Sequence, residues 1–215
     1  WEAAHTIWLW ADLSPSMHYQ SDLAIASKES RALVLMLAIA ELLSRSGERI
    51  GCPGVMEPVS SRSAAERLAL ALSHASLDGG MPDLTHVGRM SDIVLISDFL
   101  DEEASLERTI APAAQRGVRG HAVEIHDPAE ERFPYSGRTE FRDPETGQKL
   151  VAGRAETIAD DYRRAWHARR AAMSESIRSK GWSFLAHGTD RLASEALATL
   201  HGHLSGIPTT GGERS

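Results

Sequence analysis

Two stretches of the chain place oxygen ligands where an ion could be held. The first is Thr6-Ile7-Trp8-Leu9-Trp10-Ala11-Asp12-Leu13-Ser14-Pro15-Ser16-Met17, an apolar run that ends in a carboxylate and two hydroxyls at alternate positions. The second is Asp92-Ile93-Val94-Leu95-Ile96-Ser97-Asp98, which again closes on a hydroxyl and a carboxylate. Oxygen donors of this kind are hard ligands, suited to magnesium, manganese or calcium rather than zinc. Two neutral hydroxyls bound directly, with a carboxylate reaching through water, leave the ion's charge only partly neutralised. Such an ion can take an acidic side chain from a partner as its last ligand. Asp12, Ser14 and Ser16 are therefore the candidate metal ligands, with Asp98 as the second carboxylate.

The elements that must position these residues are legible from the apolar pattern. Trp8 to Ala11 is continuously apolar, as in a strand covered on both faces. Leu23 to about Ser46 reads as a helix that is apolar nearly all round, a pattern expected of a buried helix, with Gly47 as its stop. Short strands are expected at Arg49–Cys52 and Val55–Met56, and a helix from Ser63 to about Ser76, ended by Asp78-Gly79-Gly80-Met81-Pro82. Asp92–Asp98 is the clearest strand. Asp101, Glu102 and Glu103 suit the first turn of the helix that follows, where carboxylates favour the dipole. After a strand at Val118–Ile125, alternation breaks down between Ala129 and Gly153. Thr139–Arg142 and Lys149–Val151 read there as a hairpin insertion. A helix over Ala155–Ser179, a strand at Trp182–Ala186 and a helix capped by Thr189-Asp190 complete the chain, and the tail from Gly206 reads as disordered. Strands alternating with helices imply an α/β fold with a doubly wound, mainly parallel sheet flanked by helices, of Rossmann-like type, in one domain over residues 1–205. Ligands of such sheets sit beyond the carboxyl ends of the strands.

With those residues in place, the chain resembles the von Willebrand factor A-type fold and its metal-ion-dependent adhesion site. That site combines an Asp-x-Ser-x-Ser turn with an aspartate after a later core strand and a threonine from a loop between them. More specifically the chain is similar to the bacterial family known as domain of unknown function 58. The stretches that carry this resemblance are Asp127-Pro128-Ala129-Glu130, Phe133-Pro134-Tyr135-Ser136-Gly137, Asp143-Pro144-Glu145-Thr146-Gly147 and Gly181-Trp182-Ser183-Phe184. The resemblance implies a non-enzymatic interaction module that recruits a carboxylate of a protein partner through a divalent cation. It also implies association with a MoxR-type AAA+ ATPase. One departure stands out. Where the family has Gly-Gly-Thr this chain reads Gly79-Gly80-Met81, and a thioether is a poor ligand for a hard cation. Thr85 is the nearest substitute. A degenerate site is expected, one that binds weakly, binds only when a partner completes it, or does not bind.

Composition sets the outer limits. A formal net charge of −7 over 215 residues argues against general binding to nucleic acid or anionic membranes. The single cysteine, Cys52, excludes a disulfide framework and a thiolate zinc site, and a reducing, cytoplasmic setting is expected. No segment has the roughly 18 consecutive apolar residues of a membrane span. The chain opens at Trp1 rather than Met, which leaves room for an upstream membrane or regulatory region.

Rival readings are a magnesium-dependent hydrolase or phosphatase using Asp12, with His18 or Asp98 as acid/base, and a metal-free structural adaptor. There is no Gly-x-Ser-x-Gly elbow and no phosphate-binding Gly-x-x-x-x-Gly-Lys loop. The basic run Tyr162-Arg163-Arg164-Ala165-Trp166-His167-Ala168-Arg169-Arg170 reads as the solvated face of an amphipathic helix, or else as a docking face for an acidic partner.

Overall fold

The computed structural model describes residues 5–75, 80–100 and 103–205. The readings made above for the stretch 76–79, for Asp101 and Glu102, and for the tail from Gly206 lie outside them. Five strands form the parallel part of the main sheet: β1 (Thr6–Ala11), β2 (Arg49–Cys52), β4 (Asp92–Ser97), β5 (Arg119–His126) and β8 (Ser183–Gly188). β3 (Met56–Val59) adds an antiparallel edge, giving the order β3-β2-β1-β4-β5-β8. Pro58 sits in this edge strand, where a missing N–H costs least.

β1 alternates its side chains between two cores. Ile7, Leu9 and Ala11 enter one hydrophobic cluster, and Trp8 and Trp10 enter the other. A strand with both faces covered has no polar positions, which is why its sequence shows no period of two. The first core is covered by helices α1 (Lys28–Arg45), α2 (Ala64–His74) and α6 (Ala193–Leu204); α3 (Glu103–Gln115) and α5 (Ala159–Ser179) serve the second. α1 is narrower and less buried than its composition suggests. Ser27 caps it through the Ser30 N–H, and Gly47, at a φ of +90°, turns the chain out of it. Its buried face is Ala32, Leu35, Met36, Ile39, Ala40 and Leu43, whereas Val34 and Leu42 are exposed. Apolar residues on three sides of a helix do not require burial on three sides.

The segment after β5 holds a short helix that the apolar pattern concealed, α4 (Pro128–Arg132). Asp127 and Glu130 form a capping box, in which each side chain accepts from the other residue's end of the first turn. Beyond it, β6 (Thr139–Arg142) and β7 (Lys149–Ala152) pair as an antiparallel hairpin, separate from the main sheet. A 3₁₀ turn at Ala155–Ile158 then leads into α5. α6 begins at Ala193 and not at Thr189-Asp190: Thr189 is buried with its N–H on the His126 carbonyl, and Asp190 is spent on Arg132.

Gly120 and Trp182 show how closely α5 and β8 close on β5. A Cβ on Gly120 would lie 1.8 Å from the Trp182 ring, whose indole N–H donates to the Val118 carbonyl at 3.1 Å.

Candidate functional site

The ends of β1 and β4 meet because the two strands are neighbours in register, Ala11 against Ile96. Asp12 follows directly, its N–H on the Ile96 carbonyl at 2.8 Å. Its carboxylate is buried, and each oxygen accepts one hydrogen bond. Oδ1 accepts from the Ser14 N–H at 2.9 Å, and Oδ2 from the Ser97 hydroxyl at 2.7 Å. Ser14 Oγ and Ser16 Oγ lie 3.1 Å apart, so the two hydroxyls of the turn converge. Ser97 Oγ also accepts the Phe99 N–H at 3.0 Å, tying both strand ends into one network.

Asp98 is differently placed. Its Oδ2 is 2.8 Å from the Lys28 ammonium, which is itself 2.6 Å from Glu130 Oε1. Lys28 is 1% exposed, among the most buried side chains of the molecule. Burial alone would lower its pKa, but the Glu130 and Asp98 carboxylates outweigh that and hold it above the ordinary lysine value. Burial likewise pushes the Glu130 carboxyl up, opposed by the ammonium beside it. The fixed cation at these strand ends is thus a lysine from the first turn of α1.

Thr85 is exposed and has its polar contacts with Asp83, whose carboxylate accepts its N–H and its hydroxyl at 2.8 and 2.9 Å. Met81 packs against the second hydrophobic cluster.

A groove of about 970 Å³ runs past the turn, lined by Pro15, Ser16, Lys28, Glu130 and the hairpin. His18, exposed, lines it too and lies 3.6 Å from Glu29. Glu145, at the hairpin tip, accepts the Ser16 N–H at 2.8 Å. Two non-glycine residues flank the site in the left-handed region, Phe99 at φ +49° and Phe133 at φ +50°. Such conformations cost about 1–3 kcal/mol and persist only where neighbours over-determine them. Arg169 supplies one such restraint, donating to the Phe99 carbonyl at 2.6 Å.

Arg169 and Arg170 correct the reading of the basic run in α5. Arg163 and Arg164 do lie on the exposed side, paired with Asp160 and Asp161. Arg170 turns inward, with Nε 2.6 Å from Glu124 Oε2 and Nη1 3.0 Å from Glu131. Glu124 is fully buried, and burial pushes its carboxyl up against the pull of Arg170 and Arg169. His126 beside them is pushed down to about 4 by burial and by Arg170.

Lys28, Glu130, Glu145 and Arg169 carried no signal in the strand-end pattern, and Ser97 entered it only as the hydroxyl before Asp98. The signs that were available are a lysine opening an apolar helix and Asp-Pro-Ala-Glu as a capping box.

Whether a divalent ion suits this site turns on the donor set. Asp12, Ser14 and Ser16 offer hard oxygens on one turn, as such an ion needs. Asp98 is taken by Lys28, and no group of three or more His, Cys, Asp or Glu is placed to hold a metal among the described residues. The turn fits a weakly held ion that keeps water or outside ligands, and does not fit a closed all-protein cage.

Comparison with known proteins places the chain. Uncharacterized proteins Rv1480 of Mycobacterium tuberculosis and Mb1516 of Mycobacterium bovis are each 27% identical over 222 residues, covering 91% of this chain and 69% of theirs. In fold the chain is similar to the conserved hypothetical protein BatB of Bacteroides thetaiotaomicron (TM-score 0.56, 16% identity, 97% of this chain and 100% of that one). It is also similar to an aerotolerance-related membrane protein of Bacteroides fragilis (TM-score 0.54, 14% identity, 94% and 100%). No helix among the described residues of this chain is long and apolar enough to cross a membrane. The family model described as protein of unknown function DUF58 matches residues 1–172, and the chain belongs to that family.

Proposed function

We propose that the chain is a non-catalytic interaction module of von Willebrand factor A type, acting in the cytoplasm. In this reading its strand-end turn engages an acidic side chain of a protein partner through a divalent cation. The observation that carries it is the convergence of Asp12, Ser14 and Ser16 at the carboxyl end of a central strand, with the two hydroxyls 3.1 Å apart beside an open groove. Those three residues would hold the ion, magnesium or manganese, which would supply positive charge to a partner carboxylate. Asp12, fixed by Ser14 and Ser97, would orient the ion's water shell. The partner class that the family resemblance brings is a MoxR-type AAA+ ATPase.

Calorimetric titration with Mn²⁺, read alongside thermal shift, tests this. Weak binding to the wild type, lost in Asp12→Ala and in Ser14→Ala, is expected. No binding to the wild type, or equal binding by both variants, sinks the cation reading.

A second reading, the metal-free adaptor, has its own support in the Lys28–Asp98 contact of 2.8 Å. There the ammonium supplies the positive charge beside Asp98 and Glu130, and Asp98 needs no ion. An Mg²⁺-dependent phosphatase has less in its favour: both Asp12 oxygens already accept hydrogen bonds, and His18 pairs with Glu29.

A further inference from the structure

We propose that the groove beside the turn binds an arginine-bearing segment of a protein partner. At about 970 Å³ it lies at the upper end of the range for ligand pockets and exceeds what one side chain fills. Aromatic rings supply much of its lining. Phe133 is packed among three others, with ring centroids 4.5 Å from Tyr162, 5.1 Å from Tyr135, which it meets edge-on, and 5.6 Å from Phe141, on which it stacks. Tyr19 joins the row through its hydroxyl, 2.7 Å from that of Tyr135.

Charge decides the occupant. The lining carries the carboxylates of Glu130, Glu140, Asp143 and Glu145 against the basic groups of Lys28 and Arg142. Lys28 is shared between Asp98 and Glu130, so that trio is itself net negative. Glu140 is paired with Lys149, and Arg142 is the exposed opposing charge. Acidic groups beside ring faces, which are negative by their quadrupole, favour a cation. The lining already accommodates one, the Lys28 ammonium 6.0 Å from the Tyr19 centroid. A guanidinium suits the remainder better than an ammonium. It is planar, weakly hydrated, stacks on aromatic rings and takes a carboxylate with two N–H groups at once.

Glu145 is the carboxylate best prepared to receive it. Asp143 accepts the Glu145 and Thr146 N–H groups at 2.8 and 3.2 Å and the Thr146 hydroxyl at 2.7 Å, which fixes the hairpin tip. Among the described residues only Oε1 of Glu145 is engaged, by Ser16. The groove shares Ser16 with the turn, but an arginine contact to Glu145 needs no metal and does not depend on the cation proposed there.

The test is an NMR titration of the full chain, in EDTA, with the capped tripeptides Ac-Ala-Arg-Ala-NH2, Ac-Ala-Ala-Ala-NH2 and Ac-Ala-Glu-Ala-NH2. The arginine peptide is expected to bind in the high-micromolar to millimolar range and to shift Tyr19, Tyr135, Phe141 and Glu145. Glu145→Gln and Phe141→Leu, the latter keeping the hairpin apolar, are each expected to weaken it about threefold to tenfold. Equal or better binding of the alanine or glutamate peptide overturns the proposal. So do shifts confined to another surface, no shifts, or both variants binding like the wild type. Because EDTA is present, the result is independent of whether Asp12 holds a cation.

Discussion

Lys28→Met removes the one cation that holds α1, the end of β4 and α4 together. The ammonium is 1% exposed, and its partners Asp98 and Glu130 are 3% and 14% exposed. Breaking a buried ion pair by deleting one partner costs about 3–5 kcal/mol, because a charge is left without compensation. Methionine fills much the same volume, which confines the loss to electrostatics. For a chain of this size about 2–4 °C of melting temperature goes with each kcal/mol, so a fall of about 6–20 °C at pH 7 is expected.

The pH dependence separates this cause from a packing defect. In the wild type the pKa of Lys28 is raised, so its stabilisation is complete below the unfolded lysine value and is lost only as pH rises through the higher folded one. Lys28 itself stays charged from pH 5 to 8. In the variant the Glu130 carboxyl, already pushed up by burial and no longer opposed by the ammonium, takes up a proton more readily, so the deficit should narrow as pH falls from 7 towards 5. The assay is thermal unfolding by circular dichroism at both pH values. A fall of less than about 2 °C at pH 7, or a deficit that does not shrink at pH 5, would refute the reasoning. The same variant releases Asp98, and under the cation reading its Mn²⁺ affinity should rise above that of the wild type.

Other predictions concern the buried frame. Gly120→Ala drives a Cβ into the Trp182 ring, which has no room to turn while its N–H holds Val118; a loss of about 1–3 kcal/mol or more is expected in denaturant melts, with altered Trp fluorescence. Arg170→Met leaves the fully buried Glu124 with the more distant Arg169, at 3.6 Å, and should cost up to about 3–5 kcal/mol, whereas Glu124→Leu combined with Arg170→Leu should recover most of it in the same melts. His121, His126 and His187 are held at about 4, each by burial first, so they remain neutral in the folded state while the unfolded chain takes up protons below about pH 6.5. Their contribution to stability is present above that value and lost as pH falls from it towards 4. Their imidazole NMR shifts should stay at neutral values down to pH 5, and titration near 6.5 would contradict the burial argument.

What the sequence revealed follows the reach of each signal. β1 and β4 were legible because apolar, β-prone runs closing on Asp12 and Asp98 are local patterns, and parallel neighbours bring such ends together without further information. α4 was not. Five residues are too few for a helical period, and only the capping box of Asp127 and Glu130 marks it. The direction of Arg170 was equally hidden, since its burial depends on Glu124, 46 residues away on β5. Thr85 was read as the nearest hydroxyl to Met81, where the family has a threonine, and in the structure that hydroxyl donates to Asp83 two residues upstream.

The largest surprise is Lys28, and it bears on how the site works. A pattern of oxygen ligands at two strand ends asks for a positive charge between them, and sequence spacing suggests an ion. The fold meets part of that need from within. Asp98 and Glu130 close on the ammonium, and Asp12 is steadied by Ser97 and by the turn it begins. Residues held in this way cannot rearrange cheaply when a ligand arrives, because each of their bonds is buried or partly buried. The groups that remain adaptable are the Ser14 and Ser16 hydroxyls and the hairpin tip, which among the described residues is hydrogen-bonded to the turn through Glu145. Binding at this end of the sheet should therefore move the hairpin rather than the strand ends. Hydrogen exchange of β6 and β7 on adding Mn²⁺ or the arginine peptide would detect it, and protection changes confined to Asp12 and Asp98 would argue the reverse.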